Sequence, residues 1–173
     1  MEDSRGVMWV GTDGGGVTSF NRKTGLYTQH PELSPAVNNG VLCLLESKDG
    51  SIWSGTYGEG VVRRKPDGTI KAYTPAKELE NGTILTLVED PKDGTIWFGT
   101  FGAGIYHLDP ATDSLTQFTG ENSDLPSDII YNLYFDKQGT LWIGTRGGGA
   151  VSRDSKGTMK IYNHDDKAPN SLS

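Results

Sequence analysis

The sequence predicts an all-β fold of short four-stranded antiparallel sheets in series, and three observations carry that expectation. Four near-identical segments recur, each anchored by one of the four tryptophans: Met8-Trp9-Val10-Gly11-Thr12, Ile52-Trp53-Ser54-Gly55-Thr56, Ile96-Trp97-Phe98-Gly99-Thr100 and Leu141-Trp142-Ile143-Gly144-Thr145. The tryptophans stand 44, 44 and 45 residues apart, a fixed period that marks one supersecondary unit copied in series. No segment sustains an apolar pattern of helical period, so helix is nearly absent.

The second copy shows the elements in order. Val41 to Glu46 is an apolar run, and Lys48-Asp49-Gly50 turns the chain. Ser51 to Thr56 forms a second strand, followed by the turn Tyr57-Gly58-Glu59-Gly60. Val61 to Lys65 is a third strand, Pro66-Asp67-Gly68 a third turn, and Ile70 to Thr74 a fourth strand. The Asp-Gly pairs suit hairpins, because glycine accepts positive φ without a Cβ clash. Four short strands in 44 residues fit one blade of a β-propeller. A lone blade cannot bury both faces, so neighbours must cover them.

The repeats run roughly over 1–36, 37–80, 81–124 and 125–173, and together form one partial propeller over 1–173. Inner strands are expected at Val41–Glu46, Ile84–Glu89 and Ile130–Phe135, while the first copy has only Met1-Glu2-Asp3 in that place. Fifteen strands are thus expected where four complete blades need sixteen. The expected architecture is therefore a piece of a larger propeller, of the seven-bladed type. Its end blades would expose apolar faces and favour self-association.

Within each copy Trp9, Trp53, Trp97 and Trp142 are expected to wedge between blades. Gly11, Gly55, Gly99 and Gly144 would let a neighbouring backbone or indole come close. The hydroxyls of Thr12, Thr56, Thr100 and Thr145 would bond to the turn behind them.

Composition narrows the function. Net charge is −6 with no basic cluster, which argues against nucleic acid and anionic membrane as partners. The single Cys43 excludes an internal disulfide, and its apolar run marks it as a small buried hydrophobe. No stretch approaches membrane-spanning length. The glycine-rich turns are followed by strands instead of a helix and lack Lys-Ser/Thr, so they are not phosphate loops. His30, His107 and His164 are scattered in the repeat frame, with His30 and His164 in related positions, and no spacing supports zinc or another metal. Asp49, Asp67, Asp93 and Asp113 fall in turns, where capping accounts for them. No cofactor and no catalytic residue is expected.

The pattern from Val88-Glu89-Asp90 through Gly94-Thr95-Ile96-Trp97-Phe98-Gly99-Thr100-Phe101-Gly102-Ala103-Gly104-Ile105 resembles the two-component regulator propeller repeat. The tail Asn163-His164-Asp165-Asp166 with Pro169-Asn170-Ser171-Leu172-Ser173 is similar to the link between copies in that family. Leu45-Glu46-Ser47, Tyr134-Phe135-Asp136 and Ser54 depart from the pattern. The resemblance implies the periplasmic sensor region of membrane-spanning hybrid histidine kinases. Many such sensors respond to oligosaccharides, and kinase and membrane segments lie outside this chain.

One slot of the repeat varies in chemistry: the residue after each Gly-Thr, namely Asp13, Tyr57, Phe101 and Arg146. Loops entering the inner strands, carrying Asn39, Asn81 and Asp128, are expected on the same face. Aromatic rings, amides, a carboxylate and a guanidinium around one mouth would suit a sugar. The leading expectation is a non-catalytic, oligosaccharide-sensing propeller segment. Two alternatives stand beside it: a propeller lyase or hydrolase, similar to streptogramin lyases, and a structural scaffold for protein interaction.

Overall fold

The computed structural model describes residues 1–34, 40–73, 82–164, 167 and 171. The first copy folds as β1 (Val7–Thr12), β2 (Gly16–Asn21) and β3 (Leu26–His30), followed by a single 3-10 turn, Pro31–Leu33. The second comprises β4 (Val41–Glu46), β5 (Ile52–Thr56), β6 (Val61–Arg64) and β7 (Ile70–Tyr73). The third comprises β8 (Ile84–Glu89), β9 (Ile96–Thr100), β10 (Ile105–Asp109) and β11 (Ser114–Phe118). The fourth comprises β12 (Ile130–Phe135), β13 (Leu141–Thr145), β14 (Ala150–Arg153) and β15 (Met159–Tyr162).

Each copy is one sheet whose strands lie side by side in chain order. Three sheets have four strands and the first has three. In the first, Met1 and Trp9 exchange backbone bonds: Trp9 N donates to Met1 O at 2.8 Å and the terminal amine donates to Trp9 O at 2.9 Å. The stub therefore begins the pairing that an inner strand completes in the other blades.

The chain divides into two compact units, 1–87 and 88–173, with the boundary falling inside β8. In the first unit Trp9, Val17, Leu33, Val41, Ile52 and Val62 form a core drawn from the first two blades. Leu33, carried on the 3-10 turn, is wholly buried there. In the second unit the matching core holds Trp97, Ile105, Leu125, Ile130, Leu133, Leu141, Ile143 and Val151. The indoles of Trp9 and Trp97 therefore wedge between blades as the repeat pattern requires.

At Gly11 and Gly55 a neighbouring strand does come close, with the Val41 carbonyl 3.0 Å from where a Gly11 Cβ would be, but what presses hardest at both is a side chain and not an indole. A Cβ on Gly11 would stand 2.7 Å from Val41 Cγ1, and one on Gly55 2.8 Å from Ile84 Cγ2 as well as against Cys43 Sγ. At Gly144 the nearest atom would be 3.8 Å away, ordinary contact. Cys43 is half-buried, with its thiol packed at Gly55, and burial pushes its pKa up to about 12.

Strand register also revises the histidines. His30 lies opposite Val17, just as Tyr73 lies opposite Val61, Phe118 opposite Ile105 and Tyr162 opposite Ala150. His30 is thus the counterpart of Tyr162, and His164 falls beyond that position. All four residues close over their blade's tryptophan, with ring centroids 4.6, 5.9, 5.7 and 5.5 Å away in blade order. A flat ring is what this position requires, and His30 supplies one.

Candidate functional site

The variable slot sits at the head of a tight turn. Thr56 N and Thr56 Oγ1 both donate to Gly60 O, at 3.0 and 2.9 Å. Thr100 and Thr145 repeat the arrangement on Gly104 and Gly149, and the Thr12 hydroxyl reaches Gly16 O at 3.1 Å. The threonine role read from the sequence therefore holds in all four copies. The turn needs positive φ at both of its glycines, 93° at Gly58 and 82° at Gly60 in the second copy. Those requirements fix the frame and leave the slot residue projecting.

In the first unit Asp13 and Tyr57 are exposed, Tyr57 by 63%. Gly40, at the entry to β4, ties their turns together: its carbonyl accepts Tyr57 N at 2.8 Å, and Asp13 Oδ1 lies 3.0 Å from where a Gly40 Cβ would be. Gly60 N donates to Gly82 O at 2.9 Å at the entry to β8. Asn39 and Asn81 lie outside the described residues.

In the second unit Phe101 is 41% exposed and Arg146 is exposed. The entry to β12 joins their turns in the same manner. Ile129 bridges to Phe101, and its carbonyl accepts Arg146 N at 2.9 Å. Asp128 O accepts Gly102 N at 3.1 Å and Gly104 N at 2.9 Å. One Asp128 carboxylate oxygen accepts Gly120 N at 2.8 Å, so this side chain also shapes its own loop. Within each unit the slot turns and the inner-strand entry therefore share one face.

At the opposite ends of the strands lies a second tier of polar contacts. Trp9 Nε1 donates to Asp3 Oδ2, Trp53 Nε1 to Ser47 Oγ and Trp142 Nε1 to Asp136 Oδ2, each at 2.9 Å. The acceptor always stands six residues before its tryptophan, a spacing visible in the sequence but not singled out. Opposite each tryptophan on the third strand stand Ser19, Arg63, His107 and Ser152. Arg63 lies over Trp53, with its guanidinium carbon 5.0 Å from the ring centroid, and pairs with Asp49. Burial pushes the Asp49 carboxyl up, but bonds from Ser47, Ser51 and Arg63 outweigh it and hold the pKa at about 2. His107 Nε2 meets Thr95 Oγ1 at 2.8 Å. Burial holds its imidazole below the usual range, against the pull of Asp93.

Asp49, Asp67 and Asp93 are capping groups, as expected. Asp49, Asp67 and Asp93 each accept the backbone N–H two residues on, at 2.8–2.9 Å. Asp113 takes φ 60°, where the equivalent turns of the other copies use Gly25, Gly68 and Gly157. Among the described residues no group of three His, Cys, Asp or Glu side chains is arranged to hold a metal ion. No helix among them is long and apolar enough to cross a membrane.

Blade geometry and repeat pattern define a propeller segment. Residues 36–58 and 124–147 match the family described as two component regulator propeller. The structure is similar to the extracellular domain of the hybrid two component system BT3049 from B. thetaiotaomicron, with TM-score 0.82 and 25% identity, over 99% of this chain and 23% of that one. It is also similar to the extracellular domain of the one component system BT4673 from the same organism, with TM-score 0.77 and 23% identity, over 96% and 22% of the two chains. An auxiliary nutrient binding protein from B. thetaiotaomicron shares the fold at TM-score 0.66 and 13% identity, over 97% and 42%. This chain thus spans under a quarter of the first two structures. No curated protein matches the sequence.

Proposed function

We propose that this chain is a ligand-sensing segment in the periplasmic region of a two-component sensor kinase, without catalysis of its own. The observation that carries the reading is the slot itself. A threonine–glycine frame repeats four times with the same hydrogen bonds, and it holds outward four residues of unlike chemistry: Asp13, Tyr57, Phe101 and Arg146. Two of them are aromatic rings with solvent-facing surface, 63% exposed for Tyr57 and 41% for Phe101. The similarity to the extracellular domain of a hybrid two component system supports the signalling context.

The ligand is an oligosaccharide. Exposed rings stack on the apolar C–H faces of a sugar, while Asp13, Arg146 and the inner-strand entry loops bond to its hydroxyls. Binding across two blades would favour one blade packing over another and so bias a distant kinase. Calorimetric titration of the intact sensor region with a panel of oligosaccharides tests this. Saturable binding, weakened about tenfold or more by Tyr57→Ala, Phe101→Ala or Arg146→Ala, is the expected result. Unchanged affinity in all three variants overturns the proposed face.

A second copy of the chain is the partner that the uncovered blade faces suit. Val10 is 47% exposed at the position where Ser54, Phe98 and Ile143 are buried. Light scattering reads the outcome: dimers that dissociate on Val10→Asp support the pairing, and a monomer at all concentrations contradicts it.

A further inference from the structure

The two seams differ in where an arginine goes. Arg153 stands opposite Leu141, and Arg64 holds the same place in the second blade, opposite Ile52. In the second unit the Arg153 guanidinium carbon lies 4.9 Å from the Trp97 ring centroid and 5.3 Å from that of Phe118, so this side chain fills the seam over its tryptophan. In the first unit Arg64 is drawn elsewhere. Its Nε lies 3.2 Å from Glu32 Oε1, on the 3-10 turn, and the same oxygen is 3.1 Å from His30 Nδ1. His30 Nε2 in turn meets Ser19 Oγ at 2.8 Å. The seam beside Trp9 stays open, as a cavity of about 550 Å³ between the first and second blades, against about 180 Å³ in the second unit. The larger cavity has the size of a small-molecule site.

Its charged lining is of one sign. Arg5, Lys23 and Arg64 border the space and no described carboxylate does, in a chain of net charge −6. Asp3 and Glu32 stand nearby but are tied back. Asp3 Oδ2 accepts from Trp9 Nε1 at 2.9 Å and from Arg5 Nη2 at 3.0 Å, while Glu32 is held by Arg64 and His30. Each arginine uses one nitrogen in its pair. Neither has another partner, and the Lys23 ammonium has none, among the described residues. The remaining donors are open to solvent: the Arg5 side chain is 64% exposed, that of Arg64 28%, and Lys23 is exposed. The three cations come from separate elements, namely the turn before β1, the turn between β2 and β3, and β6. Asn21, Thr24 and Thr28 add amide and hydroxyl groups to the lining.

We propose that this cavity binds a small organic polycarboxylate, whose carboxylates accept from Arg5, Lys23 and Arg64. A guanidinium presents parallel N–H groups that match a carboxylate, and such charge-assisted bonds are stronger than neutral ones. Cations on three separate elements suit charges spread along a molecule better than one compact centre. A cationic ligand would meet like charge from all three. The cavity lies at the strand ends away from Asp13, which follows β1 at its other end, and does not depend on oligosaccharide binding at the slot face.

Calorimetric titration of the chain at fixed ionic strength tests this, with citrate, succinate, acetate and inorganic phosphate as the probes. Saturable binding of citrate or succinate is expected, at an affinity about tenfold or more above that for acetate and phosphate. Lys23→Glu should weaken it about tenfold or more. Lys156→Glu makes the same charge change in an exposed turn of the fourth blade and should leave it unchanged. Both lysines are exposed, and an unaltered thermal transition reports that each variant is folded. Absence of saturable binding by either polycarboxylate overturns the proposal. So does an equal affinity for acetate or phosphate, or an equal affinity in the two lysine variants, which would mark attraction to net charge alone.

Discussion

The Ser54 hydroxyl donates to the Leu33 carbonyl at 2.6 Å, across the seam between the first two blades. Both residues are wholly buried. Ser54 replaces the apolar residue that the other copies carry beside their tryptophan, Val10, Phe98 and Ile143, and the bond explains the exception. Leu33 sits on a 3-10 turn whose carbonyl would otherwise face the core. Ser54→Ala leaves that carbonyl buried and unmet, so chemical denaturation should show a loss of about 1–3 kcal/mol.

The tryptophans are not equivalent. Trp97 is buried in the seam between its two blades, whereas Trp142 is half-buried. Trp97→Ala should cost about 3–5 kcal/mol, and Trp142→Ala clearly less, in the same denaturation assay.

Glycine at the post-tryptophan position is required only where another side chain presses on it. Gly55→Ala sets a methyl group against Cys43 Sγ and Ile84 Cγ2 and should destabilise by about 1–3 kcal/mol. Gly144→Ala meets nothing closer than 3.8 Å and should be near neutral. Equal losses at both sites would contradict this packing.

Acid should act on the second blade through Asp49. Its folded pKa of about 2 lies below the ordinary 3.8, so its contribution is complete above the ordinary value. As pH falls towards about 2 the carboxylate protonates and its bonds to Ser47, Ser51 and Arg63 weaken. Stability measured against pH should therefore decline through that window, and Asp49→Asn should flatten the decline. The side chain is half-exposed, so solvent screening keeps the effect modest.

The fold was legible because its signals repeat. Four copies of one Trp-x-Gly-Thr frame fixed where the strands and turns lie, and the threonine-to-glycine bond followed from the need to close each turn. The slot residues were legible as a set, since variation inside a constant frame stands out. What escaped was long-range or singular. That Val41 and Ile84 press on Gly11 and Gly55 depends on how the next blade is placed, which local pattern does not encode. The match of His30 with Tyr162 depends on strand register, and counting from the loop misplaces it. The indole acceptors Asp3, Ser47 and Asp136 were within reach at constant spacing.

Everything rests on indoles buried between adjoining sheets. Iodide quenching of tryptophan emission, in the native protein and its four single Trp→Phe variants, tests that directly. The quenchable emission should come from Trp142 and disappear in Trp142→Phe, while the other three variants retain it. Quenchable emission that falls equally in the Trp9, Trp53 and Trp97 variants would place those rings in water and contradict the blade packing.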